Sequence, residues 1–256
     1  MRSVDARREA GDTVVATADA ESADGPWELV VGGVRVRAWR GRSPGTAAPE
    51  DLRVLSGREL ERFHSFRDPA AAAWYAGAHA SMRHRVGLLL GTAPERVEFG
   101  RSPCPGCGET AHGKPVITAP ETSLQLSLSR SGPYWLCAVA EGAAVGADIE
   151  RLRPRYAPGL FEAVLSTPEL ARLAARPADA RAAEFTRHWT RKEAVVKASG
   201  IGVATDLRRV QVRTDLPVAL VQHQGAPSGP AAWFVWDLPA GPDFLSALAV
   251  PAALPG

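Results

Sequence analysis

The sequence predicts an α+β fold, and three observations lead there. Helix and strand patterns follow one another irregularly instead of repeating as βαβ units. Strand–turn–strand signals recur around Gly32-Gly33, Ser131-Gly132-Pro133 and Ala240-Gly241-Pro242. Two stretches, 58–90 and 189–199, carry helical rather than alternating periodicity.

Taken in order, residues 1–26 are polar, rich in Ala, Asp and Arg, and without periodic apolar positions, so a disordered leader is expected. Glu28 to Arg40 alternates about Gly32-Gly33 as a strand pair. Arg58 to Leu90 is helical but broken near Asp68-Pro69, because proline cannot continue a helix from the preceding turn. Glu95 to Gly100 is a short strand ahead of a Pro/Gly/Cys-rich loop at 102–115, and Leu124–Leu128 and Tyr134–Val139 are strands joined by a turn. The second half of the chain starts with an acidic strand at Val145; in it Thr167 is expected to cap a helix with Pro168 at its first position, and the helix through Glu193 should stop at Ser199-Gly200. A short strand at 210–212 and a hairpin, Ala231–Asp237 with Phe244–Val250, complete the chain.

With 256 residues and 45% apolar content, the chain can bury a substantial core. It contains no run approaching the ~20 apolar residues of a membrane helix and no signal-peptide pattern, so a cytoplasmic, membrane-free protein is expected. A net charge of +2 is too small for a nucleic-acid tail, although arginines crowd residues 53–101, which suits an anionic ligand. Three cysteines do not make a disulfide framework. Cys104-Pro-Gly-Cys107 with His112 lacks a fourth ligand and a second Cys-x-x-Cys, so a structural turn is expected there and no zinc is assigned. Phosphate-loop and nucleophile-elbow patterns are absent from the sequence.

The chemistry lies in Val145-Gly-Ala-Asp-Ile-Glu150 and Trp189-Thr-Arg-Lys-Glu-Ala-Val-Val-Lys197. On a strand, the two-residue period turns Asp148 and Glu150 to one face and Ile149 to the other. On a helix, Trp189, Glu193 and Lys197 share a face. Alone, the paired acids are ordinary on a sheet edge and the Glu193/Lys197 spacing is that of a surface ion pair. Together they supply three hard oxygen donors beside a cation, which suits Mg²⁺ bound with a phosphate substrate. Trp189 is read as core packing and Lys192 as a residue off that face, solvated or near an acceptor.

The combination of Gly-x-Asp-x-Glu and Trp-Thr-x-Lys-Glu-Ala-x-x-Lys resembles the signature of the 4′-phosphopantetheinyl transferases. It is most similar to the larger single-chain subclass that serves polyketide and nonribosomal-peptide carrier proteins. The resemblance extends over about residues 50–250. Arg58–Arg67 and Trp74–Arg85 look like the family's basic helix region, Ala111-His-Gly-Lys-Pro115 like its Gly-Lys-Pro element, and Leu126–Gly132 like its Asn-x-Ser-His-Ser-Gly element. The resemblance implies two similar α/β halves, 27–144 and 145–256, related by a pseudo-twofold and meeting near Gly142 to Val145, with the site at their junction, in a monomer. It implies Asp148, Glu150 and Glu193 as ligands of Mg²⁺ against the pyrophosphate of coenzyme A, with Lys197 neutralising that pyrophosphate. Lys114, Ser129, Arg130 and Arg62 are implied at the 3′-phosphate and adenosine end, with Arg67 and Arg83 in reserve. The implied reaction transfers 4′-phosphopantetheine to a serine of an acyl or peptidyl carrier protein, with Glu193 as base, ligand or both. Bottom-up, Lys114 reads equally as a solvated turn lysine, and Ser129 as a strand-end hydroxyl.

One departure stands out: Arg130 occupies the place of the family's histidine, and Ser127 that of its asparagine. Arginine keeps phosphate affinity but has no titrating imidazole. A rival reading is a non-catalytic coenzyme A binding protein of the same fold. A nucleic-acid module built on the Cys104/Cys107 loop is disfavoured, because the basic and aromatic residues form no evident stacking surface.

Overall fold

In the computed structural model, which describes residues 15–16, 25–202, 205–224 and 230–252, two antiparallel five-stranded sheets share one core. The first sheet is built from β1 (Val15–Ala16), β2 (Trp27–Val31), β3 (Val34–Arg42), β6 (Leu124–Ser131) and β7 (Tyr134–Glu141), in the order β1-β2-β3-β7-β6. The second comprises β8 (Gly146–Arg151), β9 (Val210–Gln211), β10 (Val218–His223), β11 (Ala232–Leu238) and β12 (Phe244–Pro251), in the order β8-β12-β11-β10-β9. A separate pair, β4 (Glu98–Arg101) and β5 (Pro115–Ala119), brackets the Cys-containing loop.

Strand alternation explains the layering. In β7, Leu136, Ala138 and Ala140 enter the core between the sheets, while Trp135, Cys137 and Val139 face the long helix α3 (Pro69–Leu90). In β11, Phe234, Trp236 and Leu238 point to the shared core, while Trp233 and Val235 meet α6 (Arg181–Ser199). Each sheet therefore carries a helix on its outer face. Asp68 caps α3, accepting a hydrogen bond from the Ala70 amide at 3.0 Å with Pro69 at the first position, so the break expected near Asp68-Pro69 is a helix start. Gly200 ends α6 at φ 77°, as its sequence position suggested.

Several expectations are corrected. Within the leader, Val15–Ala16 pairs with Val30 and Leu29; the other residues of 1–24 lie outside those described. The cap of α5 (Thr167–Ala174) is Ser166, not Thr167: the Ser166 amide and hydroxyl both donate to Glu169 Oε2, so the side chain at the third helical position holds the turn. Helix α6 begins eight residues before Trp189. The short helices α1 (Pro49–Val54) and α4 (Leu160–Val164), and strands β5 and β10, were not foreseen; α2 (Gly57–His64) opens the helical stretch read from Arg58.

Candidate active site

Strands β6 and β8 lie side by side at the seam between the sheets, joined through serine side chains instead of a backbone ladder. Ser127 Oγ accepts from the Ala147 amide and Ser131 Oγ from the Arg151 amide, each at 3.0 Å. The same row of hydroxyls reaches the acids: Ser129 Oγ donates to Asp148 Oδ1 at 2.8 Å and Ser131 Oγ to Glu150 Oε2 at 3.0 Å. Residues two apart on β6 thus serve residues two apart on β8, the period that a strand imposes.

Helix α6 packs across β8 at Gly146. A Cβ there would lie 1.9 Å from the Ala194 carbonyl oxygen and 2.6 Å from the Ala198 amide, so only glycine allows this approach. The close crossing brings Lys197 Nζ to 2.5 Å from Asp148 Oδ1 and 2.8 Å from Ser129 Oγ. Asp148, Glu150, Glu193 and Lys197 consequently line one cleft of about 470 Å³, together with Trp189, Ser129 and Arg130.

Charge crowding shows in the acids. Burial, and then the neighbouring Asp148 and Glu150 charges, push the Glu193 carboxyl up to about 6 against the pull of Lys197. Glu150 is raised by burial and by Asp148, with Ser131, Lys197 and Arg153 opposing. Asp148 is 2% exposed, and its Oδ2 is buried without a hydrogen-bond partner among the described residues. A buried, unsatisfied carboxylate oxygen is costly, and two further acids that burial disfavours as anions line the same cleft. A hard divalent cation would relieve both, and carboxylate oxygens are the donors it takes, although among the described residues the three acids do not bring three ligand atoms within 4.8 Å of one another.

A second cleft, about 440 Å³, meets the first at Leu128 and Arg130 and is lined by Arg62, Tyr75, His79, Phe99, Arg101 and Pro115 among others. The Arg130 guanidinium lies over the Tyr75 ring at 5.1 Å, and among the described residues it has no carboxylate partner. Arg62 is exposed at the rim, its guanidinium 4.9 Å from the Phe66 ring centre. Lys114 is half-buried on the loop entering Pro115, and burial lowers its ammonium to about 8. Arg67 is exposed, and neither it nor Lys114 lines either cleft.

Arg83 is not a spare donor. It is buried against Glu59, with Nε 2.8 Å from Oε2, and it also donates to the Pro94 and Val97 carbonyl oxygens. Burial would raise Glu59, but hydrogen bonds from His79, the Ser56 amide and Arg83 outweigh it and hold the carboxyl at about 2. Lys192 is likewise corrected: it is fully buried, donating to Glu169 Oε2 at 2.8 Å and to the Leu207 and Val210 carbonyl oxygens, so it anchors α6 instead of facing solvent. Trp189 is half-buried, and besides packing near Phe185 it lines the acidic cleft and a smaller one of about 120 Å³ with Arg153 and Tyr156. Tyr75 and His79, one turn apart on α3, escaped the sequence reading because their spacing equals that of any buried helix face.

The strand–helix crossing therefore defines an enzyme-like cleft in which three acids and a lysine adjoin an arginine-lined extension. Residues 144–249, which hold this crossing, match the family model of the 4′-phosphopantetheinyl transferase superfamily. The chain is 30% identical over 200 residues to the 4′-phosphopantetheinyl transferase HetI of Nostoc sp. (strain PCC 7120), covering 77% of this chain and 78% of that protein. It is 40% identical over 124 residues to the 4′-phosphopantetheinyl transferase AcpT of Salmonella typhi, spanning 62% of the latter, and 33% identical over 102 residues to psf-1 of Bacillus pumilus. The chain belongs to the 4′-phosphopantetheinyl transferase superfamily and is a transferase.

Proposed function

We propose that the protein transfers the 4′-phosphopantetheine arm of coenzyme A to a serine of an acyl or peptidyl carrier protein, releasing adenosine 3′,5′-bisphosphate. The observation that carries this reading is the orphaned Asp148 Oδ2 beside Glu150, Glu193 and Lys197, in a cleft that continues into the arginine-lined one. A pyrophosphate ligand needs opposing charge, and a 3′-phosphate needs cations at a distance from it. Mg²⁺ bound by Asp148, Glu150 and Glu193 supplies charge neutralisation at the pyrophosphate.

The chain's own residues do the remainder. Lys197, already donating to Asp148 and Ser129, turns its ammonium to the same pyrophosphate oxygens and to the leaving group. Arg130, Lys114 and Arg62 hold the 3′-phosphate and adenosine end, while Ser129 positions Asp148 and Lys197. Glu193 accepts the proton of the carrier serine, directly or through water, as that oxygen bonds to phosphorus and the bond to adenosine 3′,5′-bisphosphate breaks. Without metal, burial and the neighbouring acids hold this carboxyl up at about 6; a bound cation lowers it and keeps it ionised at neutral pH. Residues 27–144 form the coenzyme A half and 145–256 the half with the acids, related by a pseudo-twofold; the reading is supported by one antiparallel sheet, of four strands in the first half and five in the second, and one long outer helix in each. A monomeric, cytoplasmic enzyme acting in secondary-metabolite assembly completes it.

Chromatography of the nucleotide product tests the reading. With coenzyme A, Mg²⁺ and an apo carrier protein, adenosine 3′,5′-bisphosphate should appear in proportion to carrier and vanish when the carrier serine is replaced by alanine. Coenzyme A binding without release, across a panel of apo acyl and peptidyl carriers, would support instead a non-catalytic binding protein.

A further inference from the structure

Outside the acidic cleft, the Cys-containing loop brings three soft or borderline ligands together. The Sγ atoms of Cys104 and Cys107 and a ring nitrogen of His112 all lie within 4.8 Å of one another. His112 Nε2 is 3.1 Å from Cys107 Sγ. The edges of a tetrahedron with Zn–S of ~2.3 Å and Zn–N of ~2.0–2.1 Å are roughly 3.5–3.8 Å, so the three atoms need only small movements to share one ion. The sequence alone favoured a plain turn, because nothing in the spacing revealed that His112 folds back on the thiols.

The loop is built to hold them there. Its base is closed by the Ser102 amide donating to the Lys114 carbonyl at 2.9 Å and by Arg101 donating to the Gly113 carbonyl at 2.7 Å. Gly113 is obligatory, since a Cβ would lie 1.6 Å from the Ser102 carbonyl oxygen. Inside, the Gly108 amide donates to the Cys104 carbonyl at 2.8 Å and the Cys104 amide to the Glu109 carbonyl at 2.9 Å. The amides of Gly106 and Cys107 point at the Cys104 sulfur and favour its thiolate, the form a metal requires. Cys104 is buried, whereas Cys107 and His112 are exposed, which gives an ion access and leaves a fourth position for water.

The loop also touches the other half of the site. Cys104 Sγ lies 3.6 Å from the Ile201 carbonyl oxygen, and Gly106 packs on the Ile201 side chain. Ile201 follows Gly200, the cap that ends the helix bearing Glu193 and Lys197, and Gly200 itself packs against Lys114. We propose that Cys104, Cys107 and His112 bind one Zn²⁺, with water as fourth ligand, and that this ion orders loop 102–114. Two thiolates and an imidazole select zinc over the magnesium expected at the carboxylates. Binding releases the two thiol protons, the imidazole entering as the neutral base. Only the added consequence, that the ion sets the position of Lys114 for a phosphate, rests on the proposed transferase reading.

The test is zinc analysis of untagged protein purified in reducing, chelator-free buffer and dialysed against free Zn²⁺, paired with hydrogen exchange of residues 102–114. About one zinc per chain is expected, with slowed exchange in the loop. Cys107→Ser and His112→Ala alter exposed residues and should leave the fold intact, yet each should weaken zinc binding by at least about tenfold and abolish the slowing. Asp148→Asn, in the separate carboxylate cleft, should keep its zinc. A protein that takes up no zinc, that holds Cys104 and Cys107 as a disulfide in reducing buffer, or that retains zinc equally in both loop variants overturns the proposal. Zinc uptake without slowed exchange overturns the ordering role.

Discussion

Replacing Gly146 with alanine probes the contact on which the acidic cleft depends. The added methyl would meet the Ala194 carbonyl oxygen at 1.9 Å and the Ala198 amide at 2.6 Å, both backbone atoms that no rotamer change can remove. To restore even a tight 3.0 Å contact, α6 must withdraw by about 1.1 Å. Overpacking of this kind costs about 1–3 kcal/mol, and with a backbone as the obstacle the upper part of that range is expected. For a domain of this size, ~2–3 kcal/mol corresponds to a melting temperature lower by roughly 4–12 °C. The withdrawal also carries Glu193 and Lys197 away from Asp148, and a displacement of ~1 Å at a reacting centre can cost about a hundredfold in turnover. Thermal unfolding and turnover on a carrier protein provide the two readings, with Gly57→Ala as control, since nothing lies within 4 Å of a Cβ there. If Gly146→Ala melts within about 1 °C of the parent and turns over normally, the close helix–strand contact is not what assembles the cleft.

Other outcomes follow from the same geometry. Asp148→Asn removes the carboxylate whose Oδ2 lacks a partner, so the Mg²⁺ concentration for half-maximal turnover should rise at least about tenfold with little change in melting temperature. Glu193→Gln should leave coenzyme A binding measurable by calorimetry while turnover falls by roughly 10² or more. Arg130→Ala should reduce the preference for coenzyme A over its 3′-dephospho form by about ten- to a hundredfold at pH ~7, where guanidinium is fully charged, as calorimetry of both ligands reports. Lys114, lowered to about 8, is only half protonated at that pH, so coenzyme A binding should take up about half a proton, seen as a buffer-dependent heat and lost in Lys114→Met. Glu59 is held at about 2, below its unfolded value of ~4.3, so its stabilisation is present above ~4.3 and is lost as pH falls through about 2. Glu59→Gln should flatten that acid limb while costing about 3–5 kcal/mol at neutral pH, because Arg83 is left buried and unpaired; urea unfolding across pH reports both.

Much of the architecture was legible where a pattern has a single structural meaning. Val34–Arg42 is a strand because its alternation admits one buried face, Tyr134–Glu141 is a short apolar run bounded by a turn at Ser131-Gly132-Pro133, and Asp68-Pro69 and Gly200 are punctuation with fixed backbone consequences. The common face of Asp148 and Glu150, and that of Trp189, Glu193 and Lys197, followed from period alone. What escaped was long-range. Lys192 sits beside Glu193 in sequence, and only the fold reveals that it points at Glu169 and two carbonyls, while Arg83 looked available until Glu59 was found against it. The serine row on β6 read as ordinary hydroxyls because its partners lie on another sheet. Strand β10, Val218–His223, was missed although Asp215 and Pro217 precede it and a Gly/Pro-rich stretch follows; its place depends on long-range pairing with β11.

The central claim is that this cleft moves phosphopantetheine from coenzyme A to a carrier serine. Intact-mass spectrometry of purified apo carrier proteins after incubation with the enzyme, coenzyme A and Mg²⁺ tests it most directly. The account predicts a gain of one phosphopantetheine per carrier, located on the serine, absent without Mg²⁺ and strongly reduced with Glu193→Gln. Carriers of unchanged mass across a panel of acyl and peptidyl types, from an enzyme that demonstrably binds coenzyme A and Mg²⁺, would contradict it.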